Sequence, residues 1–250
     1  MIVRVRFGKE GALCYIGHLD VLRTFQKIFR RAGIPLAYSK GFSPHPIMSF
    51  AMPLGLGLSS EGEYLDVEIE DTAVVDEKAF PSGEGGPRPK AVVDEVSLLS
   101  ALRAATSAEL PVYSLRVLPE GSGNAMASVG RAVYRLQVPE ICREALSAAA
   151  DSLLQKGSLP IEKKTKTQTV EMDLRPCIHE LIMKEVGSLT MLFMTLSAGS
   201  KASVKPELVW EALLKEAGLS PEIRPVSIRR LDIQTEDGVS LGAIGEEPSC

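Results

Sequence analysis

The order in which two periodicities follow one another is the most restrictive feature of this chain. A period of two marks a half-buried strand, and a period of 3.6 marks an amphipathic helix. Residues 2–7, Ile-Val-Arg-Val-Arg-Phe, alternate as a strand and do not read as a signal peptide. After a turn at Gly8–Gly11, the spacing of Leu19, Leu22, Phe25, Phe29 and Ala32 predicts a helix over His18–Ala32. Asp20 in its first turn and Arg30 and Arg31 in its last suit the helix dipole, and Gly33 and Pro35 stop it. Leu36–Tyr38 and Ile47–Met52 read as extended, separated by the loop KGFSPHP. Glu63–Ile69 alternates as a further strand. Residues 71–92, with PSGEGGPRPK, read as a surface loop, Val96–Ala105 as a helix and Val112–Leu118 as a strand.

After a Gly/Ser-containing connector at Glu120–Ser128 the order restarts. Ala132–Val138 alternates as a strand. Pro139 opens a helix to Gln155 with Ile141, Leu146, Ala149 and Leu153 inward. Leu159–Glu162, Thr169–Leu174 and Leu189–Leu196 read as extended, Lys205–Ala217 as a helix with Trp210 in the core, and Ile223–Ile233 as a strand. Strand-helix-strand-strand-helix-strand, met twice, predicts an α+β protein of tandem ferredoxin-like (βαββαβ) domains, antiparallel sheets with helices on one face. The expected boundaries are 1–120 and 129–235, followed by an acidic flexible tail at 236–250.

A chain of 250 residues that is 45% hydrophobic and carries a net charge of -4 is no disordered segment. Of two uncharged stretches, 41–60 is broken by Pro44, Pro46, Pro53 and several glycines and 186–200 is shorter than the roughly 20 residues a spanning helix needs, so a soluble, cytoplasmic protein without membrane contact is expected. Cys14, Cys142, Cys177 and Cys250 form neither a CxxC pair nor a CxxxCxxC triplet. A cysteine zinc site and a radical-type iron–sulfur cluster are therefore not expected in this chain.

The charge is unevenly placed. The tail holds Glu236, Asp237, Glu246 and Glu247 with no Lys or Arg, and setting these aside leaves 28 basic against 28 acidic residues. Within that neutral body, Val21 to Ser60 contains no acid but holds Arg23, Lys27, Arg30, Arg31, Lys40 and His45. Arg23, Lys27 and Arg31 recur at i, i+4 and i+8 and share one helix face. Such a stripe beside a Gly-rich loop suits a phosphate-bearing partner, and it equally suits the solvated face of a surface helix. His18 at the helix start serves either acid–base chemistry or helix-end hydrogen bonding. His45, between two stiffening prolines, is the stronger catalytic candidate. His18, His45, Asp20 and Glu63 are of ligand type, but none shows HxxxH or HxH spacing, so no metal site is expected. Ser39 and Ser43 lack a nucleophile elbow, and GLGLSS and GSGNAM do not complete a dinucleotide fingerprint. In the second half, KKTKT reads as a solvated hairpin, and Asp173 and Arg175 either pair with each other or support a ligand.

The strings GHLD, at His18, Leu19 and Asp20, GFSPHP, at Gly41, Phe42, Pro44, His45 and Pro46, and EGEY, at Glu61, Gly62, Glu63 and Tyr64, resemble the radical-SAM-linked protein family, a bacterial domain of unknown function. VEMDLRP, with Asp173 and Arg175, resembles its second-half motif. Gly17 stands where the family usually has Ser, and Ser43 where it has Asn; Gly17 removes a possible helix cap. The resemblance implies a protein encoded beside, or fused to, a radical S-adenosylmethionine enzyme. That partner would supply the S-adenosylmethionine and the iron–sulfur cluster; this chain would bind no cofactor. The implied role is an accessory or substrate-presenting partner in tRNA or rRNA modification or metabolism.

The expected function is accordingly RNA binding through Arg23, Lys27, Arg30, Arg31 and Lys40, with Phe42 stacking on a base and Ser43 and His45 beside it. Asp20, Glu61, Glu63, Tyr64, Asp173 and Arg175 are expected in supporting roles. Two alternatives stay open. One is a metal-independent endoribonuclease resembling CRISPR repeat-processing enzymes, with His18 and His45 as acid–base groups. The other is a pure protein–protein adaptor.

Overall fold

The computed structural model describes residues 1–70, 95–164 and 169–245. The expected surface loop at 71–92, residues 165–167 of the KKTKT run and the last five residues, with Cys250, lie outside the described residues. The chain is a mixed α+β protein with few helices and antiparallel strand pairing. It divides into two compact units, Met1–Ser128 with Val239–Cys250, and Val129–Gly238.

In the first unit the elements run β1 (Ile2–Lys9), α1 (His18–Arg31), β2 (Met48–Phe50), β3 (Ser59–Glu68), α2 (Glu95–Ala105), β4 (Val112–Val117) and the single turn α3 (Ala125–Ser128). Strands pair antiparallel in the order β4-β1-β3-β2. The register sets Val3 opposite Val67 and Val117, and Val5 opposite Leu65 and Leu115. These side chains meet Val21, Phe25, Ile28 and Phe29 of α1 and Leu98 and Leu102 of α2 in one core. Phe7 and Phe25 pack edge-on, with ring centroids 4.7 Å apart.

The helix α1 forms where the sequence predicts it, but its buried face is rotated. Val21, Phe25, Ile28 and Phe29 are buried, whereas Leu19 is 55% exposed and Leu22 packs only at the margin. Apolar residues at 19, 21, 22, 25, 28 and 29 make a stripe wide enough for two overlapping faces, and packing against Phe7 selects one of them. Gly33, at φ +71°, closes the helix in the left-handed conformation while the Ile34 N–H donates to the Phe29 carbonyl.

The tail does not fray over 239–245. Leu241 is fully buried, its carbonyl accepts from Arg4, and Ser240 Oγ lies 3.1 Å from the Tyr64 hydroxyl. Arg116 donates to the Gly245 carbonyl, and a Cβ at Gly245 would come within 2.6 Å of the Val117 carbonyl oxygen. Buried Leu241 and these polar contacts return a Gly-rich segment to the first unit, which composition alone does not reveal.

The second unit runs β5 (Arg131–Gln137), α4 (Arg143–Gln155), β6 (Pro160–Lys164), β7 (Thr169–Asp173), β8 (Ile178–Val186), β9 (Leu189–Ser197), α5 (Pro206–Glu216) and β10 (Ser227–Gln234). Its main strands pair antiparallel in the order β10-β5-β9-β8, and β6 and β7 form a separate hairpin pair. Ala132, Tyr134 and Leu136 alternate inward opposite Leu196, Met194 and Leu192. Leu146, Ala149 and Leu153 of α4 are buried as expected, and Trp210 of α5 is buried with its indole N–H donating to the Ile223 carbonyl.

Two expectations fail here for local reasons. Ile141 is 93% exposed, because residues 140–142 form a 3-10 turn before α4 begins and Cys142 takes the inward position. The strand β8 is absent from the sequence reading. A register shift between Ile178 and Glu180 breaks its alternation, so its buried residues, Ile178 and Leu181, lie three apart.

Candidate functional site

The first unit carries a cleft of about 600 Å³ between α1 and the segment that follows it. One wall is the outer face of α1, with Arg23, Gln26, Lys27 and Arg30. The other holds Ile34, Pro35, Leu36, Tyr38 and Pro46, with Glu70. The backbone fixes this second wall. Leu36 bridges Ile69, the Ala37 N–H donates to the Glu68 carbonyl, and the Glu70 N–H donates to Pro35. Tyr38 bridges Pro46, and the Ser39 N–H donates to the His45 carbonyl. Burial of Ile34 and Leu36 seats the strip against the core and leaves Tyr38 56% exposed.

The cationic wall is available for a ligand. Arg23 Nη1 lies 3.1 Å from Asp20 Oδ1, but both side chains are more than half exposed. A pair of that kind contributes about 0–1 kcal/mol, so a phosphate can compete for the guanidinium. Among the described residues, Lys27 and Arg30 form no ion pair. The wall therefore presents positive charge opposite an aromatic ring and two prolines.

The structure brings together only some of the expected residues. Arg31 is exposed at the end of α1 and does not line the cleft. Lys40, Phe42 and Ser43 belong to an exposed loop, and Phe42 touches so little that it is fully exposed. His45 braces that loop: Nδ1 lies 2.9 Å from Ser39 Oγ and 3.2 Å from the Ser43 carbonyl oxygen, and its N–H donates to Ser39 Oγ. His18 and Glu63 line a different cavity, with Lys9, Phe7, Phe50 and Met52. That cavity is about 20 Å³, room for one water molecule and too little for a substrate. Its Lys9 is buried and donates to the Ile16 and Cys14 carbonyls. Neither cavity unites His18 with His45.

The remaining supporting residues make contacts within the fold. Tyr64 is buried, and the Glu61 carbonyl accepts from Arg6. In the second unit Asp173 accepts from the Leu159 and Arg175 N–H groups, and the Arg175 guanidinium donates to the Leu154, Lys156 and Ile178 carbonyls. Arg175 thus satisfies carbonyls left open at the end of α4. Among the described residues no three His, Cys, Asp or Glu side chains are placed to hold a metal ion, and no helix is long and apolar enough to cross a membrane.

The backbone N–H groups of Leu159 and Arg175, followed by the Ser158 hydroxyl, hold the Asp173 carboxyl below its ordinary value. Lys156 and then Ser152 do the same for Glu216. A carboxylate whose folded pKa lies below its unfolded one stabilises the fold above the unfolded value. It loses that contribution as the pH falls through the folded one. The melting temperature of the protein is therefore expected to fall with acidification below the ordinary carboxylate range. Asp173→Asn is expected to flatten that dependence, as read by thermal melts across pH. An unchanged pH profile in Asp173→Asn would contradict this assignment.

Sequence reasoning missed Tyr38, Gln26 and Glu70. Tyr38 lies two residues before Lys40 in an extended segment, so a signal existed. Glu70 reaches the cleft only because the end of β3 pairs with residues 35–37, which no local pattern encodes.

A family model described as "Uncharacterized protein conserved in bacteria (DUF2344)" matches residues 3–82 and 89–206. No curated protein matches the sequence. Among solved structures, a chain of the "Crystal Structure of a Cbf5-Nop10-Gar1 Complex" is similar, at 9% identity and a TM-score of 0.48, over 92% of this chain and 48% of that one. The present chain thus spans about half the length of that solved chain.

Proposed function

The chain belongs to the uncharacterized bacterial family DUF2344, and from that premise we propose that it is an RNA-binding accessory protein whose first unit grips single-stranded RNA. The observation that carries the reading is the cleft of about 600 Å³ with Arg23, Lys27 and Arg30 on one wall and Tyr38, Pro35 and Pro46 on the other. Its volume falls within the roughly 300–1,000 Å³ of small-ligand sites, a size that suits a nucleotide. From Arg23 to Arg30 the helix rises roughly 10 Å, which makes a phosphate rail. Tyr38 supplies a face on which an unpaired base stacks, and such stacking requires a base free of its duplex.

In this reading each unit is a ferredoxin-like sandwich. The order strand-helix-strand-strand-helix-strand supports it in both, with strands arranged β4-β1-β3-β2 and β10-β5-β9-β8 and the β6–β7 hairpin as an insertion. The RNA would be presented to a separate enzyme, which on the sequence resemblance would be a radical S-adenosylmethionine protein acting on tRNA or rRNA. The endoribonuclease alternative has less support, because His45 Nδ1 is engaged by its own loop and His18 lines a cavity of water size.

Binding of one labelled oligoribonucleotide, single-stranded or annealed to its complement, tests the proposal. The single strand is expected to bind at least about 10-fold more tightly. Tyr38→Ala is expected to weaken single-strand binding by about 5-fold or more, the loss of one stacked base. Equal affinity for duplex and single strand, or no effect of Tyr38→Ala, would overturn it.

A further inference from the structure

One acid stands in the cleft. Glu70 lines it at the Pro35 end of the second wall, one residue beyond buried Ile69, and its N–H donates to the Pro35 carbonyl. Among the described residues its carboxylate forms no ion pair. A carboxylate at this position repels phosphate, so it does not belong to the rail on α1. It is an acceptor-only group, with two oxygens side by side. Such a group suits a ligand edge that presents two adjacent N–H donors.

We infer that Glu70 reads the base held in the cleft and that the base is guanine, an inference that rests on the RNA-binding reading above. Guanine presents N1–H and the N2 amino group next to each other, which matches both carboxylate oxygens in parallel. Adenine offers its N6 amino group beside the N1 acceptor, and cytosine offers N4 beside the N3 acceptor. Either leaves one carboxylate oxygen facing a lone pair. Uracil offers N3–H between two carbonyl oxygens, which is less favourable still. With the phosphate on Arg23, Lys27 or Arg30 and the ring on Tyr38, the Watson–Crick edge is the part of the base left to meet Glu70.

The test uses the full chain and oligouridylates of one length carrying a single central guanosine, inosine or adenosine. Inosine keeps N1–H and lacks the N2 amino group. Guanosine is expected to bind about 10-fold more tightly than adenosine, with inosine between them, as for one bidentate contact. Glu70→Gln, an exposed substitution, is expected to lower guanosine binding about 10-fold, to the level of adenosine, and so to abolish the preference for guanosine. Equal binding of the three oligonucleotides, or a guanosine preference that persists in Glu70→Gln, would overturn the inference while the groove reading stands. Failure of all three to bind would overturn both.

Discussion

Asp66→Ala is expected to destabilise the first unit by about 3–5 kcal/mol, the cost of stranding a buried charge. Arg4 Nε and Nη2 donate to the two carboxylate oxygens of Asp66 at 2.7 and 2.9 Å, and the two residues are 2% and 6% exposed. The same carboxylate accepts from the Ala125 N–H at 2.6 Å, at the start of α3. Removing it leaves a buried guanidinium with no counter-charge and only the Leu241 carbonyl, and a buried amide without its acceptor. Replacing both charges, Arg4→Met with Asp66→Leu, is expected to cost far less, because neither charge then remains to be paired. Chemical denaturation of the three proteins decides the matter. An Asp66→Ala cost below about 1 kcal/mol, or a double variant no better than the single one, would show that the pair is not what holds β1, β3 and α3 together.

This pair also marks where the sequence stops being readable. The alternation in residues 2–7 identifies β1, and its period of two sets Arg4 on the face opposite Val3, Val5 and Phe7 without saying what covers that face. Arg4 is buried, with its guanidinium against Asp66 and the returning tail at Leu241. Local period reports one face of a strand. What covers the other face comes from residues 62 and 237 positions away. The same limit explains the other misses. A bulge at the start of β8 destroys the period that would have disclosed it, whereas α1 and β5 carry uninterrupted periods and are read directly. At the cleft, Arg23, Lys27 and Arg30 are legible as a helix stripe, while the Tyr38–Glu70 wall depends on pairing between residues 35–37 and 68–70. Of the two histidines in the motifs, the structure gives one a loop to brace and the other a cavity of water size.

Reversing the rail is expected to have the largest effect on binding. The variant Arg23→Glu, Lys27→Glu, Arg30→Glu is expected to lower single-strand affinity roughly 100-fold, from three phosphate contacts of about 1 kcal/mol each. All three side chains lie on the outer face of α1, so the fold is expected to survive, with melting temperature as the check. Arg31→Glu is the informative control. It makes the same kind of charge change one residue outside the cleft lining, and only a few-fold loss is expected. A loss as large as that of the triple variant would mean that diffuse charge, not the cleft, attracts the RNA.

The salt dependence of single-strand binding tests the central claim most directly, because it counts the phosphates that the protein neutralises. Three contacts to a single strand predict a slope of log affinity against log salt of about -2 for the native chain, and a slope near zero for the triple variant. A native slope near zero, or an unchanged slope in the variant, would contradict the assignment of Arg23, Lys27 and Arg30 as the RNA-binding rail.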